Sequence, residues 1–390
     1  MRPNRPIYLD HHATTPLDPR VRQAMRPFWE DDFANPHSTE HAMGRAVEEA
    51  VESARAEVAA LLGGEAREVV FTSGATEANN LAIKGLARFH RDGPRRRVVT
   101  AATEHKCVLE SVRDLAAEGF EPVVLPVQAD GRLDPEALRA ALEVPTLLVS
   151  LMAVNNETGV VQDLPALGAI AKAAGAFLHV DAAQAAGRVP LDVEEMRADL
   201  VSLSGHKMYG PRGIGALWVR RRPRVRLQPL FSGGGQERGL RSGTVPAPLA
   251  VGFGAAARIA AAEGALDAGR IAAQRDILLA GLRAGIPGLR VNGSLEHRVA
   301  GNLNLTFPGV SAAALMAAVP ELCLSTGSAC SSAEVAPSYV LTAMGLDAAE
   351  SAATLRVGLG RFTSPAEAHA AARLLCDAWA RLTHHQHAAE

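Results

Sequence analysis

The sequence predicts an α/β protein: a large domain with a mainly parallel seven-stranded sheet between helices, and a smaller α+β domain at the C-terminal end. Three observations predict it. Seven short apolar runs alternate with helical stretches between about residues 69 and 220. From about residue 245 a long alanine-rich helical segment replaces this alternation. The chain of 390 residues is also too long to fold around one compact core, which suggests two domains. We expect an N-terminal segment at 1–15 packed with the small domain, a large domain at 16–260 and a small domain at 261–390.

The predicted strands of the large domain are short and almost wholly apolar, which is typical of parallel strands covered by helices on both faces. They lie at 68–72, 97–101, 122–125, 146–151, 177–181, 200–203 and 215–219. Helical patterns lie between them at 79–87 and 164–174, and Asp134 followed by Pro135 is typical of a helix start. In the small domain we predict strands at 289–292, 302–307 and 354–359 and helices at 311–318 and 365–381.

The net charge of −2 gives no electrostatic reason to expect nucleic acid or an anionic membrane as a partner. Two arginine clusters, at 95–97 and within 220–226, interrupt this near-neutrality. A solvated face is the favoured interpretation of both, and a docking patch for an acidic partner is the alternative. No signal-like run opens the chain and no segment approaches about 18 uninterrupted apolar residues, so we expect no membrane span.

The cysteines at 107, 323, 330 and 376 form no CxxC pair. We therefore expect free thiols and a reducing, cytoplasmic environment. Zinc binding by Cys323, Cys330 and scattered histidines is disfavoured, because their spacings match no common zinc pattern. We predict no intrinsic metal site.

The segment FTSGATEANN at 71–80 follows a predicted strand and opens a predicted helix. Backbone N–H groups at Ala75 and Thr76 and the Thr76 hydroxyl would form an anion site suited to phosphate. The alternative is an ordinary helix start with Thr76 as the cap and Glu77 as a first-turn acid. On this segment alone the alternative is favoured.

Two residues of opposite charge lie at or after the ends of two successive strands. Asp181 closes the apolar strand in FLHVDAAQ, and Lys207 follows the next strand in SLSGHKMYG. Because successive parallel strands end at one edge of the sheet, the two side chains should lie close together. An acid and a lysine so placed fit a pyridoxal phosphate site: the lysine forms the Schiff base and the acid keeps the ring nitrogen protonated. Gln184 could reach a ring substituent, and Ser204 and His206 could complete the phosphate site.

Further candidates follow other strands. His105 could stack on a planar ring and act as acid or base, although a lone histidine is more often structural. Asn156 adds a polar group at the same edge. Arg356 lies in an apolar strand and requires a carboxylate, which an amino-acid substrate would supply. Cys330, among Gly, Ser and Ala, is a candidate nucleophile, whereas Cys107, Cys323 and Cys376 fit the interpretation of buried, inert thiols.

With these residues in view, the chain resembles the cysteine desulfurases of the NifS/IscS type, within the class V aminotransferase group of fold-type I pyridoxal-phosphate enzymes. The resemblance covers nearly the whole chain. It rests on YLD with ATTP near the N-terminus, Asn35-Pro36 with His41 and Gly44, FTSGATE, TEHK, VNNETGVVQD, HVDAAQ, SGHKMYGP, GGGQERGLRSGT and GSACSS. Two positions depart from the family pattern. His11-His12 stands where relatives carry other residue pairs, and Ser331 stands where close relatives often carry threonine.

The resemblance implies a role for each matching residue. Lys207 would hold the cofactor aldehyde, Asp181 would pair with the ring nitrogen, Gln184 with the ring oxygen, and His105 would stack on the ring. The phosphate would be held by Ala75, Thr76, Ser204, His206 and, from the second subunit of a homodimer, Thr244. Asn156 and Arg356 would bind the substrate carboxylate, and Asn156 would also adjoin the cofactor.

The resemblance also implies a reaction. Sulfur would pass from L-cysteine to Cys330 as a persulfide, leaving L-alanine. It would then pass to an iron–sulfur scaffold or a thiolation protein, with Cys330 as a possible transient iron–sulfur ligand. The alternatives are a selenocysteine lyase, an aminotransferase, which would not need Cys330, and a non-catalytic cofactor-binding scaffold for sulfur transfer. A dinucleotide-binding oxidoreductase is disfavoured because the glycine fingerprint is missing.

Overall fold

The computed structural model describes residues 5–326 and 337–387. In chain order its strands are β1 Ile7–Tyr8, β2 Val69–Thr72, β3 Arg97–Ala101, β4 Glu121–Leu125, β5 Thr146–Met152, β6 Phe177–Asp181, β7 Leu200–Ser204, β8 Gly215–Val219, β9 Arg290–Val291, β10 Asn302–Thr306, β11 Leu322–Cys323 and β12 Thr354–Gly358. Its α-helices are α1 Pro19–Met25, α2 Pro27–Glu30, α3 Ala42–Ala60, α4 Ala75–Phe89, α5 Lys106–Asp114, α6 Pro135–Ala141, α7 Leu164–Ala173, α8 Ala247–Gly285, α9 Ala312–Ala318, α10 Tyr339–Ala343, α11 Ala348–Ala352 and α12 Pro365–His387.

The central sheet of the described chain contains the seven strands predicted from the sequence. Their order is β2-β8-β7-β6-β5-β3-β4. All neighbours are parallel except β8, which runs antiparallel to both β2 and β7. The prediction of a mainly parallel sheet is therefore confirmed, and the polar residues that follow β3, β5, β6 and β7 emerge at one edge.

Helices cover both faces of this sheet because alternate strand residues point to opposite sides. The core around the central sheet therefore has two layers: in β3, Val98 packs with Leu81 of α4 on one face of the sheet, and Val99 packs with Val51 of α3 on the other. Every residue of β5 is buried. Burial on both faces explains why the strands read as continuous apolar runs.

A second hydrophobic core forms around the antiparallel sheet β12-β10-β9 and helix α12. Helix α8, 39 residues long, joins the two cores: Phe253 lies in the first and Leu278 in the second. In length and composition α8 could cross a membrane, but half of its most apolar stretch is buried inside the protein. It is therefore accounted for as a core helix. The predicted domain boundary near residue 260 falls within it and remains a prediction.

The N-terminal residues lie against this second core. Strand β1 pairs in parallel with β11, with Ile7 opposite Leu322. Asp10 then forms a bridge with Gly358 at the end of β12. From there the chain continues to the edge of the central sheet, where the Thr15 amide donates to the His206 carbonyl at 3.0 Å. Residues 7–15 thus contact both cores.

The interior of the central sheet contains a polar triplet. His179 of β6 lies between Ser150 of β5 and Ser202 of β7, with its Nδ1 2.8 Å from one hydroxyl and its Nε2 2.9 Å from the other. All three side chains are buried. Burial lowers the pKa of His179 to about 3, so the ring is neutral at neutral pH. One ring nitrogen therefore donates and the other accepts.

We expect His179→Gln to lower the free energy of unfolding by about 1–3 kcal/mol at pH 7.5, because buried hydroxyls lose a partner. It should also flatten the pH dependence. The unfolded histidine takes a proton below about pH 6.5 and the native one does not until about pH 3. The stabilisation is thus complete above pH 6.5 and is lost as the pH falls, by about 1.4 kcal/mol per unit. Urea unfolding between pH 7.5 and 4.5 measures both effects, with the exposed His37→Gln as the control. An unchanged slope would contradict the neutral-ring assignment.

Candidate active site

The predicted site residues gather around a cavity of about 600 Å³ at the carboxyl ends of the parallel strands. Its walls include Ala75, Thr76, His105, Asn156, Asp181, Gln184, Ser204, His206, Lys207 and Arg356. Thr244 is exposed and does not line this cavity, so its expected role toward a second subunit remains a prediction. Cys330 lies outside the described residues.

One end of the cavity is formed by the start of helix α4. Gly74 is the N-cap residue, and its φ of 155° with ψ of −179° is a backbone conformation essentially restricted to glycine. The alternative interpretation of Thr76 as the cap is therefore wrong. No side chain in the described part of the chain caps this helix. The first-turn N–H groups, which lack intrahelical acceptors, fit a phosphate.

The Asp181 carboxylate is held from two sides. It is 5% exposed. Its Oδ1 accepts from the Ala183 amide at 2.9 Å, and its Oδ2 accepts from Asn79 Nδ2 at 2.8 Å. Asn79 was not among the predicted site residues. Its polar side chain within the first helical turns after the Gly74 turn was the available signal. The fixed, buried carboxylate fits a cationic ring nitrogen.

Lys207 lies in a single 3₁₀ turn, Gly205–Lys207, directly after β7. Its Nζ donates to the backbone carbonyls of His12 at 2.6 Å and Ala13 at 2.8 Å. These acceptors belong to the N-terminal segment, not to the sheet. Thus residues 12–13 fix the lysine nitrogen inside the cavity.

His105 is the N-cap residue of helix α5. Its Nδ1 accepts from the Cys107 amide at 3.2 Å and lies 3.0 Å from the Cys107 sulfur. Because this nitrogen faces the helix, the ring is fixed at the cavity wall. Cys107 also lines the cavity, and it is half-buried, as are Cys323 and Cys376. The prediction that these three thiols are buried is therefore wrong.

Arg356 is 3% exposed and already has a carboxylate partner, which the sequence did not reveal. Its Nη2 contacts Asp10 Oδ1 at 2.8 Å and Ser325 Oγ at 2.8 Å, and its Nη1 donates to the Asn156 carbonyl at 2.9 Å. Within the described residues, the buried Arg356 Nε and Asn156 Oδ1 have no hydrogen-bond partner. Both residues line the cavity, so these atoms remain for a ligand.

Two buried carboxyls lie behind the cavity wall. Burial, reinforced by the nearby Asp181 charge, raises the pKa of Glu104 well above its usual range. Burial also raises the pKa of Glu157, which accepts from Ser338 Oγ at 2.6 Å. The Tyr339 hydroxyl donates to the Glu104 carbonyl at 2.7 Å. Residues 338–339 are thus fastened to the wall that carries His105.

The polar side chains around the cavity are chemically varied. Among the residues that the structure describes, no group of three or more His, Cys, Asp or Glu side chains is arranged to hold a metal ion. The cavity instead combines an amine, a carboxylate, a helix N-terminus and an arginine. This set fits an anionic cofactor that carries a basic ring nitrogen and an aldehyde.

The family model for class V aminotransferases matches residues 7–370 of the chain. Among curated proteins, a cysteine desulfurase IscS from Anaeromyxobacter sp. (strain Fw109-5) is 54% identical over 372 residues, which is 95% of this chain and 92% of the relative. The cysteine desulfurase of Homo sapiens is 50% identical over 363 residues, covering 93% of this chain and 79% of the human protein.

Solved structures show the same likeness. A NifS-like protein superposes with a TM-score of 0.90 at 33% identity, covering 97% of this chain and all of the other. A protein described as SspA in complex with cysteine superposes with a TM-score of 0.81 at 36% identity, covering 92% of this chain and all of that one. The predicted fold-type I architecture is therefore confirmed.

Gly358, against which the cavity-lining His12 packs, leaves no space for a side chain. A Cβ there would lie 2.8 Å from His12 Cδ2 and 3.0 Å from the His11 amide nitrogen. We therefore expect Gly358→Ala to displace residues 11–12 and to cost about 1–3 kcal/mol of unfolding free energy. Urea unfolding provides the measurement. Gly269→Ala is the control, because a methyl group on this exposed glycine of α8 would meet no described atom within 4 Å. Equal behaviour of the two variants would contradict the tight wall.

Proposed function

The chain belongs to the class V aminotransferase family, and we propose that it works as a pyridoxal-phosphate-dependent cysteine desulfurase. The observation that carries this proposal is the meeting of Lys207, Asp181 and the start of helix α4 in one cavity. Relatives at about half identity over nearly the full chain bear the same activity in their names. The substrate is then L-cysteine and the products are L-alanine and enzyme-bound sulfur.

The residues present fit the cofactor. The first-turn amides of α4, together with Ser204 and His206, suit its phosphate, and the Asp181 carboxylate suits its ring nitrogen. Burial, followed by the Lys207 charge, lowers the pKa of His206 to about 4, so this ring contributes a neutral donor. When bound, pyridoxal phosphate supplies an aldehyde for an amine and a ring that stabilises negative charge at the substrate Cα.

The protein side chains divide the remaining tasks. Lys207 would hold the aldehyde before the substrate arrives and would afterwards take the Cα proton. The carbonyls of residues 12–13 hold its Nζ in one position inside the cavity. Asp181 would keep the ring nitrogen protonated, and Gln184 would donate to the ring oxygen. His105 would stack on the ring and assist proton transfer.

Sulfur transfer then involves Cys330. Its thiolate attacks the substrate sulfur, so that an S–S bond forms and the Cβ–S bond breaks. The electron pair of the broken bond stays on the three-carbon fragment, which takes up protons and leaves as L-alanine. Cys330 retains the sulfur as a persulfide, and no external oxidant is required for this step. Arg356 and Asn156 hold the substrate carboxylate meanwhile.

The assembly and cellular context are also proposals. A homodimer is supported by the exposed position of Thr244, which is free to face a second subunit's phosphate. The described cysteines are free thiols, which is typical of a reducing compartment such as the cytoplasm. An iron–sulfur scaffold or a thiolation protein would accept the sulfur from Cys330.

The proposal is tested by incubating the cofactor-loaded protein with L-cysteine under reductant and assaying alanine and sulfide together. We expect equal yields of both. Cys330→Ala should retain the visible absorbance of the bound cofactor and bind L-cysteine, yet lose sulfide release by at least about 100-fold. Lys207→Ala should lose the absorbance of the Schiff base. Unchanged sulfide release in Cys330→Ala would remove the proposed nucleophile, and no alanine from the loaded wild type would contradict the function.

Asn79 offers a separate test of the cofactor site. Asn79→Ala removes the donor that holds Asp181 Oδ2, so we expect the dissociation constant of pyridoxal phosphate to rise about 10-fold. Equilibrium titration of the cofactor-free protein gives this constant. Asn80→Ala is the matched control, because the Asn80 amide donates to the Thr76 carbonyl of its own helix and Asn80 does not line the cavity. Equal affinities in the two variants would show that Asn79 does not position Asp181 for the cofactor.

A further inference from the structure

His12 lines the cavity and has a buried ring nitrogen. Its side chain is 1% exposed and lines the same cavity as Lys207. Its Nε2 has no hydrogen-bond partner in the part of the chain that the structure describes. A buried polar atom without a partner costs free energy, so a ligand atom at this position would satisfy it.

Arg188 determines which nitrogen of His12 carries the proton. Arg188 Nη1 lies 2.6 Å from His12 Nδ1 and 2.9 Å from Gln184 Oε1, and this oxygen lies 3.2 Å from His12 Nδ1. A guanidinium only donates hydrogen bonds, and its contact with Nδ1 is the shorter of the two, so His12 Nδ1 accepts. Burial, reinforced by the Arg188 charge, lowers the pKa of His12 well below its usual range, and the ring is neutral. The single ring proton is therefore on Nε2, which is a hydrogen-bond donor.

The position of the ring indicates what this donor meets. The His12 ring packs over Gly358 on strand β12, where its Cδ2 leaves no space for a methyl group. Arg356 lies two residues earlier on β12 and therefore on the same face of the strand. The Arg356 Nε is likewise buried without a partner among the described residues. Two unpaired donors thus share one wall of the cavity.

We propose that His12 Nε2–H donates a hydrogen bond to the carboxylate of the amino-acid substrate, beside Arg356. This inference rests on the proposed function and adds a specificity residue to it. In L-cysteine the carboxylate is the one charged acceptor, since the amine is used at the cofactor aldehyde and the thiol is needed for sulfur transfer. The His12 backbone carbonyl holds Lys207 Nζ. One residue thereby positions both the amine that takes the proton and the carboxylate of the substrate.

The test compares two ligands that differ in the carboxylate. L-cysteine and cysteamine, which lacks the carboxylate, are titrated into cofactor-loaded Cys330→Ala protein, and binding is followed by the change in visible absorbance. We expect His12→Phe, which keeps a planar ring without the donor, to weaken L-cysteine binding about 10- to 100-fold. Cysteamine binding should stay within about twofold.

Two further variants separate a hydrogen bond from a structural effect. His12→Gln places an amide donor near the position of Nε2 and should restore most of the affinity for L-cysteine. His11→Asn is the matched control: it keeps a donor for the Gly358 carbonyl, which the His11 Nδ1 contacts at 3.0 Å, and His11 does not line the cavity. If His12→Phe loses cofactor or folds poorly, His12→Met, which also lacks the donor, provides the same comparison.

The outcomes distinguish this inference from the proposed function. Unchanged L-cysteine binding in His12→Phe, or equal losses for L-cysteine and cysteamine, would overturn the carboxylate contact. In the otherwise unmodified enzyme, His12→Phe should raise KM far more than it lowers kcat, and a fall in kcat alone would also count against it. If the loaded wild type binds L-cysteine but releases no alanine, the desulfurase function fails while the selective loss of L-cysteine binding would still support the contact.

Discussion

The contact between the N-terminal segment and the turn that carries Lys207 is the interaction on which the rest of the site depends. Residues 7–10 pair with β11 and β12 at the second core, and residues 12–15 then accept from Lys207 and contact His206. The lysine nitrogen thus takes its position from a segment whose other end is fixed by Arg356, through Asp10. Residues distant in sequence thereby set the spacing between Lys207 and Arg356.

The cavity concentrates buried polar atoms that lack partners in the described parts of the chain. Of the six such side-chain atoms, five belong to His12, Asn79, Glu104, Asn156 and Arg356, in or beside the cavity wall, and only the atom of Gln274 lies elsewhere. At the buried His179, away from the cavity, both ring nitrogens are paired. The unpaired atoms lower stability in the absence of a ligand. Their clustering is therefore the physical mark of a binding site rather than of a poorly packed core.

Two regularities of the sequence are enough to predict the central sheet and most residues of the cavity wall. The alternation of apolar runs and helices predicts the parallel sheet, and parallel strands deliver the residues after β3, β5, β6 and β7 to one edge. Neither regularity predicts which side chains from distant segments contact each other. The carboxylate of Asp10 beside Arg356, the amide of Asn79 beside Asp181 and the guanidinium of Arg188 beside His12 depend on tertiary contacts. The N-cap at Gly74 was not predicted, because the only sign of its unusual backbone conformation in the sequence is the glycine itself.

Helix α8 has a consequence for how the two cores can move. At about 1.5 Å per residue its 39 residues form a continuous rod of roughly 58 Å, and bending it would break backbone hydrogen bonds. The N-terminal segment is the other covalent link between the cores. Rotation between the cores is further opposed by hydrogen bonds that join them, such as those that Asn302 and Asn304 donate to the Glu157 carbonyl. Because residues 12–13 lie on the N-terminal link, a rotation about a line through the two links would change the far rim of the cavity much more than the surroundings of Lys207 Nζ. The position of the lysine nitrogen would then be nearly independent of such a rotation.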